Sequence, residues 1–205
     1  LDNAKFYNCS ANLIISIDGN KNEKVQNIAN DFNWKYGDKQ IIIHDNQLGL
    51  KNHFMYCGDL SIKYGTVLFL EEDMLVAENF PNFVLSFVER FKDDNRIAGA
   101  SLYSIGYNEL TSTNFKPIND GYDNFFYQQP YWGKIYLKDK WLDFRKWYDR
   151  GEFDYDLLPD NVRKWKETSF KKYYILYLIM KSKYYLFPRI SLATNQGVSG
   201  IHATD

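Results

Sequence analysis

The sequence of 205 residues has little cysteine and little histidine. Cys9 and Cys57 cannot build a disulfide framework, and neither belongs to a CxxC pair. Two such thiols fit a reducing compartment, so the expected location is the cytoplasm or the inner face of a membrane. His44, His53 and His202 lack the spacing of zinc ligands. An excess of one charge is also missing: 25 Lys and Arg against 26 Asp and Glu leave a formal net charge of −1. No whole-chain field is available to draw in nucleic acid or anionic lipid, which excludes nucleic acid as the expected partner and leaves at most peripheral membrane association. The most apolar run, YYILYLIM (173–180), has lysines on both sides and is too short to span a bilayer. The residues carry no signal-peptide pattern, no internal repeat and no low-complexity linker.

What is present is an ordinary globular composition, with 45% apolar and 25% charged residues. The length suits one compact domain with a sizeable core. Aromatic residues reach 18%, with 17 Tyr, and serve either to build that core or to stack on a ligand.

Apolar runs alternate with helical spacing through the first half. NLIISID (12–18), KQIIIHD (39–45), TVLFLEED (66–73) and RIAGASLYS (96–104) read as strands. KNEKVQNIANDF (21–32), residues 52–64 and ENFPNFVLSFVERF (78–91) read as helices, the last with one stripe of Phe and Val. Continuous apolar strands alternating with helices predict an α/β domain: an open, mostly parallel Rossmann-like sheet flanked by helices on both faces. Residues 105–133 read as loop with short strands, 138–148 and 168–181 as helices, 184–188 as a last strand and the remainder as a terminal loop. The expected organisation is a single domain over 1–205, with halves at 1–104 and 105–205.

Three predicted parallel strands end in acids: Asp18, Asp45 and the triplet Glu71–Glu72–Asp73. In an open α/β sheet, ligands sit beyond the carboxyl ends of the strands. Asp45 precedes Asn and fits a simple turn, and Asp18 fits either role. Three adjacent carboxylates repel one another and call for a positive partner. Mg²⁺ or Mn²⁺ bound by one or two carboxylates, with substrate phosphates completing its shell, would supply it. The stretch LGLKN (48–52) offers backbone N–H groups and Lys51 to a phosphate, although it is also an ordinary entry into a helix.

IISIDGN, NQLGLKN, VLFLEEDMLVAENFPNF, QQPYWGKIYLKDKWLDF and LFPRISLATNQGVSGIH occur in an order that resembles GT-A-fold glycosyltransferases. The similarity runs from residue 12 to 202 and is nearest to bacterial enzymes of the N-acetylglucosaminyltransferase I type, family 2-like. It implies a hexosyl- or N-acetylhexosaminyltransferase that takes sugar from a nucleotide diphosphate sugar, UDP-linked by preference. It implies a saccharide or lipid-linked acceptor, inversion at the anomeric carbon and a role in cell-surface polysaccharide synthesis. By the same resemblance Asp73 holds the metal, Glu71 and Glu72 lie near the ribose and donor sugar, and Asp18 contacts the base. Tyr131, Trp132 and Gly133 shape the donor and acceptor pocket, and Gly197 to His202 close over the diphosphate. Trp132 could equally be a loop aromatic, and His202 an exposed residue near the end of the sequence. Glu72 stands where the family has Asp, so its contact needs a longer arm. The family also begins with a strand and helix before IISIDGN. Only LDNAKFYNCSA stands there, so the resemblance implies that the first strand, with part of the nucleotide pocket, lies outside this sequence.

Displacement at an anomeric carbon needs a base for the acceptor hydroxyl. The resemblance maps that base to Glu167, after Trp165. The same residue also suits the first turn of the following helix, where an acid favours the dipole. Three other readings share features of the sequence: a sugar-1-phosphate nucleotidyltransferase, a glycoside hydrolase with paired carboxylates, and a non-catalytic sugar-binding module on the same fold.

Overall fold

The computed structural model describes residues 1, 4–7, 9–19 and 22–196. Its first half runs β1 (Leu13–Ile17), α1 (Glu23–Asp31), β2 (Lys39–Ile43), α2 (Leu50–Tyr64), β3 (Thr66–Phe69), β4 (Met74–Val76), α3 (Phe80–Phe91) and β5 (Ile97–Ser101). Its second half runs β6 (Tyr107–Asn108), β7 (Thr113–Asn114), β8 (Asn124–Tyr127), β9 (Lys134–Leu137), α4 (Lys138–Arg150), α5 (Asp160–Arg163), α6 (Phe170–Met180), β10 (Tyr184–Pro188) and β11 (Ala193–Asn195). The helices start and stop for local reasons. The Asn22 side chain accepts from Lys24 N at the head of α1, Ser169 accepts from Lys172 N at the head of α6, and glycines follow α2 and α4.

The fold is α/β with open sheets, but the main sheet is mixed rather than mostly parallel. Its five strands lie in the order β3-β9-β5-β10-β8. Only β5 and β10 pair in parallel; β9 runs against both β3 and β5, and β8 runs against β10. The correction comes from β9, a strand of four residues that is buried throughout. It shows no polar alternation and continues directly into α4, so the sequence gives it no separate signal. β1 and β2 form their own parallel pair. A second unforeseen pairing joins β4 to β11, within what reads as a terminal loop.

Side chains alternate across the main sheet. Tyr136, Tyr185 and Phe187 face a layer built by α2, α4 and α6, while Ile135, Leu186 and Ala100 face α3. The first layer absorbs much of the aromatic content: Trp141, Phe144, Tyr174, Tyr177 and Tyr185 are fully buried. Burying Phe144 alone contributes about 1.5–3 kcal/mol. Gly58 on α2 makes room for this layer, since a Cβ there would stand 2.2 Å from the Trp141 ring. The apolar run 173–180 falls in α6 as a core helix, and no helix among the described residues is long and apolar enough to cross a membrane. The two halves read from the sequence share one sheet, because β5 lies between β9 and β10.

Candidate active site

The acid triplet forms the turn from β3 to β4, closed by Met74 N donating to Glu71 O at 3.2 Å. Its carboxylates do not converge. Glu71 turns to Lys134, at 3.1 Å, whose side chain is only 6% exposed. Lys134 Nζ also lies 4.5 Å from the Phe54 ring centroid and 5.4 Å from that of Phe69. Burial lowers the Lys134 pKa, and Glu71 opposes that shift. Asp73 Oδ2 accepts from Asn195 Nδ2 at 2.6 Å, and its carbonyl accepts from Gln196 N at 2.9 Å. Glu72 is exposed. Repulsion within the triplet is thus relieved by divergence, with Glu71 and Asp73 on separate partners and Glu72 facing solvent.

Asp18 follows β1, and its two carboxylate oxygens accept from Leu48 N at 2.6 Å and Gly49 N at 3.0 Å. Those amides are the head of the stretch expected to face a phosphate. Asp18 satisfies these two amides. Asp45 is exposed in the turn after β2. Lys51, in the first turn of α2, donates to the Glu167 carbonyl at 3.0 Å and lies 4.8 Å from the Tyr173 ring centroid. Beside it, the Ser16 hydroxyl bonds both His53 Nε2 at 2.8 Å and His44 Nε2 at 3.1 Å. Burial lowers the His53 pKa and the His44 charge lowers it further, while Asp18 and Glu72 pull it up. His53 therefore stands within the fields of acids that follow two different strands. The Cys57 thiol, one turn further along α2, is pushed up to about 11 by burial, so it is an inert core group at neutral pH.

Glu167 lies before α6, not in its first turn, because the helix begins at Phe170 with Ser169 as its cap. Three donors hold its carboxylate. Lys172 Nζ reaches Oε1 at 2.6 Å, Tyr155 OH reaches Oε2 at 3.1 Å, and the Tyr173 hydroxyl makes a short bond to the same oxygen. The Lys172 and Tyr173 bonds hold the Glu167 pKa down to about 2. A carboxylate so engaged and so acidic is a weak proton acceptor.

Tyr131, Trp132 and Gly133 lead into β9. Gly133 has φ +66°, and a Cβ there would meet Leu102 at 2.7 Å, so this position admits only glycine without strain. Tyr131 stacks on Tyr103 at 4.9 Å, and Trp132 meets both rings edge-on at 4.8 and 5.0 Å. Lys171 Nζ lies 4.1 Å from the Tyr131 ring centroid and makes a short ion pair with Glu109. Burial pulls the Lys171 pKa down to about 8, against the pull of Glu109; Lys134 and Glu71 also act on it. Lys171 thus links the aromatic wall to the triplet's own ion pair. The sequence reading missed Glu109, Lys134, Lys171 and Tyr103. The available signal was the pair Lys171–Lys172 at the head of an otherwise apolar helix. His202 and the loop from Gly197 lie outside the described residues.

The divalent cation that the resemblance implies would rest on Asp73. Asp73 is a hard oxygen ligand with one oxygen fixed by Asn195, and no donor among the described residues reaches Oδ1. Mg²⁺ or Mn²⁺ that takes its other ligands from phosphate and water needs little more. No group of three or more His, Cys, Asp or Glu among the described residues is arranged to hold a metal by protein ligands alone. No family model matches the sequence, and no curated protein matches it significantly.

Proposed function

We propose that the chain is a metal-dependent glycosyltransferase. It would move a hexosyl or N-acetylhexosaminyl group from a nucleotide diphosphate sugar, UDP-linked by preference, to a saccharide or lipid-linked acceptor. The observation that carries this reading is the placing of acids directly after two strands: Asp18 after β1 holds the amides at the head of α2, and the Asp73 carboxylate after β3 rests on Asn195 through one oxygen. Acids at strand ends stand where ligands bind in open α/β folds, although β1 and β3 belong to different sheets here. Inversion at the anomeric carbon and a role in cell-surface polysaccharide synthesis at the cytoplasmic side follow from the resemblance alone.

On this reading Asp73 would hold Mn²⁺ or Mg²⁺, which when bound neutralises charge growing on the leaving diphosphate. Lys134 fixes Glu71 in the turn after β3. Lys51 ties the segment before α6 to α2, and Tyr131 and Trp132 supply an aromatic wall that keeps water from the sugar. The acceptor hydroxyl still needs a proton acceptor, and the donors around Glu167 make it a clamp for α6 rather than that group.

The test is product identity. Incubation with UDP-glucose, UDP-galactose and UDP-N-acetylglucosamine, Mn²⁺ and a panel of mono- and disaccharides should release UDP from at least one donor. Pyrophosphate formed from a sugar 1-phosphate and a nucleoside triphosphate would instead identify a nucleotidyltransferase. Binding without release of either would identify a non-catalytic module.

A further inference from the structure

Glu109 sits in the turn between β6 and β7, opposite the head of α6. The turn is fixed from both sides. Asn108 Oδ1 accepts from Leu110 N at 2.9 Å and Thr111 N at 3.2 Å, and Asn161 Nδ2 donates to the Glu109 carbonyl in a short bond. The carboxylate Oε2 accepts from Lys171 Nζ, the Tyr131 hydroxyl also acts on the carboxylate, and among the described residues no donor stands in hydrogen-bond geometry to Oε1. The two side chains are 23% and 24% exposed, which leaves an opening to solvent without loosening the pair. Lys171 lies over Tyr131 and 5.9 Å from the Trp165 ring centroid, so the pair borders the wall of Tyr103, Tyr131 and Trp132.

Three properties of Glu109 match what a general base needs. It has an open carboxylate oxygen, a backbone held in place, and aromatic faces beside it on which a sugar ring can pack. Glu167 has none of the first: its two oxygens are taken by three donors. Resting on the transferase reading above, we propose that Glu109 takes the proton from the acceptor hydroxyl, with Lys171 as the residue that positions it. The acceptor oxygen bonds to the anomeric carbon as the bond from that carbon to the donor diphosphate breaks. The electron pair leaves with the diphosphate. The acceptor proton moves to Glu109 Oε1 and is then lost to solvent.

The experiment measures UDP release from the donor and acceptor panel above for the wild type, Glu109→Gln, Glu109→Asp, Lys171→Met, Lys171→Arg and Glu167→Gln. Each variant is checked for folding by its melting temperature and for donor binding by the shift that UDP and Mn²⁺ produce. Glu109→Gln should lower kcat by about 100-fold or more while the UDP shift is retained. Glu109→Asp, which keeps the charge on a shorter arm, should fall between it and the wild type. Lys171→Met should lower kcat with little change in donor KM, and Lys171→Arg should restore part of the loss. Glu167→Gln should lose less than about tenfold. An active wild type with a folded Glu109→Gln of equal turnover overturns the assignment of Glu109 and leaves the transferase reading standing. A Glu167→Gln that alone abolishes turnover while binding UDP does the same. A wild type that releases UDP from no donor overturns the transferase reading and the assignment together.

Discussion

Two carboxylates carry most of what individual residues can be asked to prove. Asp18 fills both oxygens with the Leu48 and Gly49 amides, so its first task is to anchor the loop that leads into α2. Asp18→Ala should cost about 1–2 kcal/mol of stability, the range for losing a helix-start acceptor, and urea unfolding would read it as a lower midpoint at constant slope. Glu167 tests the opposite end of the clamp. Its folded pKa lies near 2, below the 4.5 of the free group. The stability it adds is therefore fully present above about pH 4.5 and is lost as pH falls toward 2. The gap in melting temperature between the wild type and Glu167→Gln should be widest at neutral pH and close through that window. A gap independent of pH would mean that the carboxylate's charge plays no part in holding α6.

Elements show where sequence reasoning succeeds and where it stops. The strands ended by acids were legible because their apolar runs are continuous and a charge marks the end of each. β9 was not, because four buried residues running straight into a helix leave no period to count. Neither was the Lys134–Glu71 pair, since lysine is read as exposed unless a partner is known. That partner lies 63 residues away in the chain. Lys171 and Glu109, 62 residues apart, were missed for the same reason. Glu167 was singled out by its place after Trp165, yet its partners depend on how α6 faces Tyr155, which spacing alone does not fix. The packing of α2 on α4 offers a direct check on the element scale. Gly58→Ala would push a methyl into the Trp141 ring, whose nearest atom stands 2.2 Å from the added carbon. An overpacked core of this kind typically loses about 1–3 kcal/mol, readable as a lower melting temperature. An unchanged melting temperature would show that Trp141 has room to shift.

Over the whole molecule, the fold gathers groups that are far apart in the chain. Asp18, His53, Glu72 and Glu71 come from the first half, while Lys134, Glu109 and Lys171 come from the second. The two halves meet through β3, β9 and β5, and that meeting sets the Glu71–Lys134 pair within the field of Lys171 at the aromatic wall. The central claim is that a nucleoside diphosphate and its cation settle there. Thermal unfolding with UDP, with and without Mn²⁺, beside an Asp73→Asn variant tests it most directly. A ligand at ~100 times its dissociation constant stabilises a fold by about 2.7 kcal/mol. The account predicts a rise in melting temperature that needs both UDP and Mn²⁺ and is absent in Asp73→Asn. A chain whose melting temperature ignores UDP and Mn²⁺, or rises equally in Asp73→Asn, would contradict it.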